Sequence, residues 1–260
     1  MRDSKITVIT PVYKETAEEI VSLLAGITLA RQNLAPKGQM SHYFLDDGSR
    51  VTEAGLPLNT LVRHTQNKGL AQTLIEGYEA IWNMRSLPDV AVQLYSKHDA
   101  GQIPDVVSRI LAGFKFVFLP VWYEVPGAAQ KPMVEIYDLI VKFSEAVKSM
   151  NRLAILSLWK EKFSFGFQGF RPSRLADLLP DLKRGIKLFE KKYGKKPTWG
   201  LDLLTILLAA KDRRNRVDFL FGGTESLPTN RQIEEVVKEQ RDQAEKMLYI
   251  AAELGCRWGH

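Results

Sequence analysis

Apolar residues near the amino terminus fall into short β-branched or aromatic blocks, with helical stripes between them. Ile6-Thr7-Val8-Ile9-Thr10 is β-branched throughout and stops at Pro11, the pattern of a strand buried on both faces. Thr16 then precedes Glu18 and Glu19, and Ile20, Leu23, Leu24 and Ile27 recur at helical spacing, so a helix capped by Thr16 is predicted. Tyr43-Phe44-Leu45 predicts a second strand that ends at Asp46-Asp47-Gly48-Ser49. Leu58 to His64 predicts a third strand, and a helix follows from Leu70 to Asn83 with Leu74, Ile75, Tyr78 and Ile81 on one side. Asp89 to Tyr95 predicts a fourth strand, Pro104 to Gly113 a helix with proline near its favoured first position, and Lys115 to Pro120 a fifth strand. This alternation predicts an α/β fold with a doubly wound, mostly parallel sheet and right-handed crossovers.

The pattern changes in the second half. Lys131 to about Lys160 is predicted as a long helix, with Ile136, Leu139, Ile140, Phe143 and Val147 as its apolar positions. FSFGFQGFRP, residues 163 to 172, reads as a loop rich in glycine and phenylalanine. Pro172 to Tyr193 is predicted helical and runs into the basic segment Lys191 to Lys196. Trp199-Gly200-Leu201-Asp202 opens an apolar helix that reaches about Lys211, Val217 to Phe221 is a strand, and Asn230 to Leu254 is a long charged amphipathic helix.

Composition narrows the setting. A net charge of +6 and a pI near 9.3 favour anionic partners such as nucleotide diphosphates, phospholipid headgroups or nucleic acid. The single cysteine, Cys256, excludes an internal disulfide and a cysteine zinc site, and suits a reducing compartment. The first strand occupies the place a signal peptide would take, and no eighteen-residue apolar stretch marks a membrane span. The expectation is therefore a cytoplasmic protein.

Three predicted strand ends carry polar clusters: Pro11-Val12-Tyr13-Lys14-Glu15, Asp46-Asp47-Gly48-Ser49 and His98-Asp99-Ala100-Gly101-Gln102. Each alone reads first as a solvated loop. A parallel sheet brings such ends into one crevice, where ligands of open α/β sheets bind. There a carboxylate after the second strand can accept hydrogen bonds from a ribose or base edge, and one after the fourth can hold a divalent cation that bridges a diphosphate. Lys68, at a helix start, places a cation where phosphate also binds.

Taken together, VITPVYKE (8–15), DDGS (46–49), NKGLAQTLIEGYEA (67–80), HDAGQIP (98–104), QGFRPSRL (168–175) and TWGLDLLTILLAA (198–210) resemble the ordered motifs of family 2 glycosyltransferases of the GT-A fold, especially polyprenyl-phosphate sugar synthases. The resemblance implies a GT-A type, Rossmann-like twisted sheet flanked by helices, with a helical carboxyl-terminal part. It divides the chain into a glycosyltransferase domain, 1–226, and a helical extension, 227–260. Within the domain, 1–120 would bind nucleotide and 121–226 would face the acceptor. It implies inverting transfer from a nucleotide-diphosphate sugar to a lipid phosphate or a small hydroxyl compound. Pro11, Tyr13, Glu15, Asp46 and Asp47 would line the base and ribose pocket, with Lys68 toward phosphate. Asp99 and Gln102 would hold magnesium or manganese, Arg171 would face phosphate, and Asp202 would serve as base near the acceptor.

Two departures bear on that reading. The Asp-x-Asp usual at the fourth strand end is reduced to Asp99, followed by Ala100 and Gly101, so cation binding would be weak, completed by substrate or absent, with His98 a substitute ligand. Arg231 is followed by Gln232 rather than by the tryptophan of processive synthases, which argues against a polymerase. Nucleotidyl transfer is a rival disfavoured by the missing Gly-rich triphosphate loop. The other alternative is a degenerate domain that binds nucleotide-sugar or a protein without turnover. The terminal helix would pack on the domain, form a homodimer contact or dock peripherally on an anionic membrane together with the KKYGKK run (191–196); nucleic acid is not expected.

Overall fold

The computed structural model describes residues 3–49, 59–122, 163–198, 200–212, 214–220, 224–225 and 233–256. The predicted helix of residues 131–160 lies outside them, as do Leu58, Phe221 and most of the loop after it.

The first half follows the predicted alternation: β1 (Ser4–Val12), α1 (Ala17–Leu34), β2 (Gly38–Asp47), β3 (Thr60–His64), α2 (Leu70–Trp82), β4 (Val90–Gln93), α3 (Ile103–Leu111) and β5 (Phe116–Trp122). There follow β6 (Phe163–Phe170), α4 (Pro172–Tyr193), α5 (Leu201–Lys211), β7 (Val217–Phe219), β8 (Thr224–Glu225) and α6 (Ile233–Glu253). The sheet runs β3-β2-β1-β4-β6-β5-β7, with β8 also on β5. All described pairings are parallel except those of β6, which is antiparallel to both β4 and β5.

Thr16 caps α1 in a capping box: its side chain accepts the Glu19 N–H while the Glu19 carboxylate takes the Thr16 N–H. β1 runs past its predicted stop at Pro11 and ends at Val12. Pro11 lies beyond the last β1–β4 pair, Ile9 with Gln93, so its missing amide hydrogen breaks no bond to β4.

One expectation is corrected. Residues 163–170 form β6, inserted between β4 and β5, rather than a loop. Phe163, Phe165 and Phe167 alternate at strand spacing, and two glycines serve close packing instead of turns. A Cβ at Gly166 would stand 2.0 Å from the Tyr95 ring, and one at Gly169 would stand 2.2 Å from Val106.

The apolar core lies on both faces of the sheet. One layer holds Ile6, Val8, Val92, Val106 and Phe167 under α1 and α3; the other holds Tyr78, Phe116, Phe170, Leu182 and Leu204 under α2, α4 and α5. The carboxyl half of α6 and the turn after it belong to the second layer, burying Met247, Ile250, Ala251 and Leu254. Lys192 pairs with Glu253 at 3.0 Å, and Lys211 Nζ donates to the Leu254 carbonyl at 2.7 Å. This part of the terminal helix therefore packs on the domain, as amphipathic logic expects; the side chains of Ile233, Val236 and Val237 lie outside the described set.

Candidate active site

The strand order places the ends of β1, β2, β3 and β4 along one edge of the sheet, and β6, running the other way, delivers its beginning there. Pro11 is buried in β1 and Tyr13 stands exposed beyond it, with Lys14 Nζ 5.2 Å from its ring centre. Glu15 Oε2 accepts the Tyr13 N–H at 2.5 Å, and Oε1 accepts from Ser96 Oγ at 3.4 Å, so the β1 end is tied to the β4 end. Burial pushes the Glu15 carboxyl up, and Glu19 nearby adds to that.

The two aspartates of β2 are buried and turned to internal work. Asp46 accepts the Ser49 N–H at 2.7 Å and lies 3.5 Å from Arg63 Nε. Asp47 accepts the N–H groups of Lys68 and Gly69 at 2.8 and 3.0 Å, closing the chain that enters α2. His64 bridges Asp47 Oδ1 at 2.8 Å and Glu76 Oε2 at 2.7 Å through its two ring nitrogens. Burial alone would lower its pKa, but the hydrogen bonds to Asp47 and Glu76 outweigh it and the net shift is upward. His64 and Glu76 went unnoticed in the sequence, because their pairing depends on β3 lying against α2. Lys68 Nζ reaches Glu76 at 3.4 Å.

At the β4 end, Asp99 is exposed, and its Oδ1 accepts the Gly101 N–H at 2.8 Å, capping the turn Ala100–Gln102. Gln102 is half-buried beside it. His98 does not fit the part of a substitute ligand. Its ring is buried, stacked flat on Phe167 at 5.8 Å, and Nδ1 accepts the Tyr95 N–H at 3.1 Å. That bond occupies the lone pair a cation would need, and burial holds the imidazole neutral by pushing its pKa down to about 3. Among the described residues no three His, Cys, Asp or Glu side chains converge as a metal cage. One exposed carboxylate and one amide do not make a protein-built cation site by themselves.

Asp202, in the first turn of α5, meets this edge through the side chains at the end of β4 and in β6. Tyr95 Oη donates to its Oδ2 at 2.5 Å, and the amides of Gln93 and Gln168 donate to Oδ1 at 2.9 and 3.2 Å. Tyr78 Oη donates to Gln93 Oε1 and accepts from Gln168 Nε2 at 3.0 Å, so three neutral side chains hold the carboxylate and a fourth, Tyr78, ties two of them together. None of them is a cation. Burial pushes the Asp202 carboxyl up to about 6, with the Tyr95 and Gln93 hydrogen bonds opposing the shift. The sequence did carry a signal for this network: Gln93 interrupts the apolar run VAVQLY, and Gln168 is the one amide in the glycine- and phenylalanine-rich run 163–170. Their meeting depends on β6 pairing Gln168 directly with Gln93.

Gly166 is the joint of this network, because Tyr95 packs against it. Gly166→Ala is expected to push the Tyr95 ring away, cost ~1–3 kcal/mol by overpacking, and raise the Asp202 pKa further through loss of the Tyr95 hydrogen bond. Urea unfolding and carboxyl-carbon NMR titration check both; an unchanged Asp202 titration would detach Tyr95 from its control.

Arg171 lies elsewhere. It follows β6, whose end is level with the beginning of β5, and its Nη2 donates to the Ile110 carbonyl at 2.9 Å. It is thus at the edge of the sheet opposite the crevice, away from Asp99 and Glu15.

Comparison with known proteins matches no family profile and no curated sequence. Similarity appears in solved structures. Mannosyl-3-phosphoglycerate synthase from Rubrobacter xylanophilus superposes with a TM-score of 0.55 at 10% identity, covering 96% of this chain and 74% of that one. A 4-diphosphocytidyl-2C-methyl-D-erythritol synthase from Anaerococcus prevotii gives 0.43 at 10% identity over 97% of this chain and 99% of that one. CMP:2-keto-3-deoxy-manno-octonic acid synthetase, complexed with CTP, gives 0.46 at 10% over 90% and 98%. The fold is of the GT-A type: a mixed α/β sheet, mostly parallel, flanked by helices. No helix among the described residues is long and apolar enough to cross a membrane.

Proposed function

We propose that this chain is an inverting glycosyltransferase of the family 2 kind, moving a sugar from a nucleotide-diphosphate sugar to an acceptor hydroxyl. The observation that supports it most is Asp202: a carboxylate beside the crevice, held by neutral donors, with a pKa raised into the range of a working base. The structural likeness to a mannosyl-3-phosphoglycerate synthase is compatible with sugar transfer on this fold.

In this reading the donor nucleotide lies along the ends of β1 and β2, with Tyr13 and Glu15 toward base and ribose. Asp46 and Asp47 contribute chiefly by fixing the crevice wall, since their oxygens already hold Ser49, Lys68 and Gly69. The acceptor oxygen attacks the anomeric carbon from the face opposite the diphosphate. Its proton passes to Asp202, the bond from the anomeric carbon to the diphosphate oxygen breaks, and the nucleoside diphosphate leaves with that electron pair. Lys14 and Lys68 carry positive charge on the same rim. A phosphate acceptor, already anionic, would have no use for Asp202, so the raised carboxyl favours a hydroxyl acceptor over a lipid phosphate.

A thermal-shift panel of UDP, GDP, dTDP and ADP, each with and without magnesium or manganese, tests the donor site. One diphosphate is expected to raise the melting temperature by several degrees, since a ligand at 100 times its Kd contributes about 2.7 kcal/mol. A shift that needs the cation would assign it to Asp99 and the diphosphate together. Release of nucleoside diphosphate rather than pyrophosphate separates sugar transfer from nucleotidyl transfer. Absence of any shift would favour the degenerate reading.

A further inference from the structure

The edge of the sheet opposite the crevice concentrates positive charge in an arrangement that polypeptide geometry alone disfavours. The Lys115 N–H donates to the Arg216 carbonyl at 2.8 Å, and the Arg171 N–H donates to the Lys115 carbonyl at 2.9 Å. Extending the pairs Phe116–Val217 and Phe116–Phe170 by one residue sets Arg216, Lys115 and Arg171 level across three adjacent chain segments. Like charges directly opposite one another destabilise a sheet. Arg171 is also the residue preceding α4, a helix of 22 residues with Pro172 in its first turn and no side-chain cap, and Arg174 follows in that turn. Cations at a helix amino terminus oppose the helix dipole, so these two stand where an anion belongs.

The neighbouring carboxylates do not answer this charge. Asp177 is taken by Arg174 at 3.1 Å, Asp212 by Arg214 at 2.7 Å, and Asp218 lies 3.5 Å from Arg109. Lys115, Arg171 and Arg216 have no carboxylate partner among the described residues. Arg171 spends Nη2 on the Ile110 carbonyl, yet its Nε is buried without an acceptor. Arg216 lies over the Phe114 ring, 4.7 Å from its centre, which orients the guanidinium without neutralising it. Burial and then the charges of Arg171, Arg174 and Arg216 hold Lys115 below the usual lysine range, so the cations interact with one another.

We propose that Lys115, Arg171, Arg174 and Arg216, around the start of α4, form a second anion site that takes a small phosphorylated compound, separate from the nucleotide crevice. A phosphoryl group would supply several acceptor oxygens to the guanidinium forks and relieve the repulsion along the row. The position also connects the site to the active centre. β6 runs from Gln168, which touches Asp202, to Phe170, and Arg171 is the next residue.

Inorganic pyrophosphate is the probe, titrated calorimetrically at fixed ionic strength with chloride as the balancing anion. The wild type is expected to bind it, and a Lys115→Gln/Arg216→Gln variant to bind at least tenfold more weakly. Nucleoside diphosphate affinity should be the same in both, so failure of the crevice reading leaves this comparison legible. Without added anion at low salt, the variant should melt at or above the wild-type temperature, because removing the two charges relieves repulsion. Equal pyrophosphate affinity in the two proteins, no binding to the wild type, or binding confined to heparin or RNA would each overturn the proposal. So would a lower melting temperature of the variant at low salt, which would show that the charges are already satisfied.

Discussion

Asp202→Asn is expected to lower kcat with a hydroxyl acceptor by ~10²–10⁴-fold, the span that general base catalysis usually contributes. Asparagine preserves the shape of the side chain and keeps an oxygen facing the amides of Gln93 and Gln168. It cannot accept the acceptor's proton. The pH profile gives the companion test. With its pKa raised to about 6, the carboxyl is ionised and competent above that value and protonated below it. The kcat/KM of the wild type should therefore fall tenfold for each pH unit below about 6 and level off above it. In Asp202→Asn that limb should vanish from the residual activity. Full turnover by the variant, or the same acid limb in both proteins, would remove Asp202 from the base role.

Asp47→Ala should be the most destabilising of the single substitutions discussed, costing about 3 kcal/mol in urea unfolding. It strands the Lys68 and Gly69 N–H groups at the start of α2 and deprives buried His64 of one of its two carboxylates. The effect should depend on pH with a definite sign. His64 has a folded pKa raised above 6.5, so its bridge to Asp47 and Glu76 contributes fully below the unfolded value and is lost as pH rises through the folded one. The wild type should lose that increment on going alkaline, and Asp47→Ala should lose less. An Asp47→Ala protein as stable as the wild type would show that the carboxylate is not what holds the entry to α2.

These two aspartates differ in how far the sequence announces them. Asp47 is visible as the end of an apolar strand in turn-forming company, and that placement is correct. Its partners were not visible, because they come from Lys68 and Gly69, 21 and 22 residues later, and from His64 on the next strand. Asp202 is visible only as an acidic residue opening an apolar helix. Burial raises its carboxyl, and the groups that hold it in place are Tyr95 and Gln93, more than 100 residues earlier, and Gln168. Arg171 shows the opposite failure. Its Gly-Phe-Arg setting suggests phosphate at the crevice, but β6 runs against its neighbours and carries the residue to the far edge.

What the sequence determined by itself is the order of strands and helices in the first 120 residues, the capping of α1 by Thr16 and the polar clusters at the strand ends. These follow from local forces: β-branched runs, 3.6-residue periodicity and short-range hydrogen bonding act between residues close in the chain. Only the tertiary structure decided that 163–170 is a strand and that it is inserted between β4 and β5. It also decided that a carboxylate at 202 meets amides at 93 and 168, and that cations at 115, 171 and 216 stand side by side. Each of those depends on pairing across many residues, where closure entropy is balanced by the burial of the whole sheet rather than by any local preference.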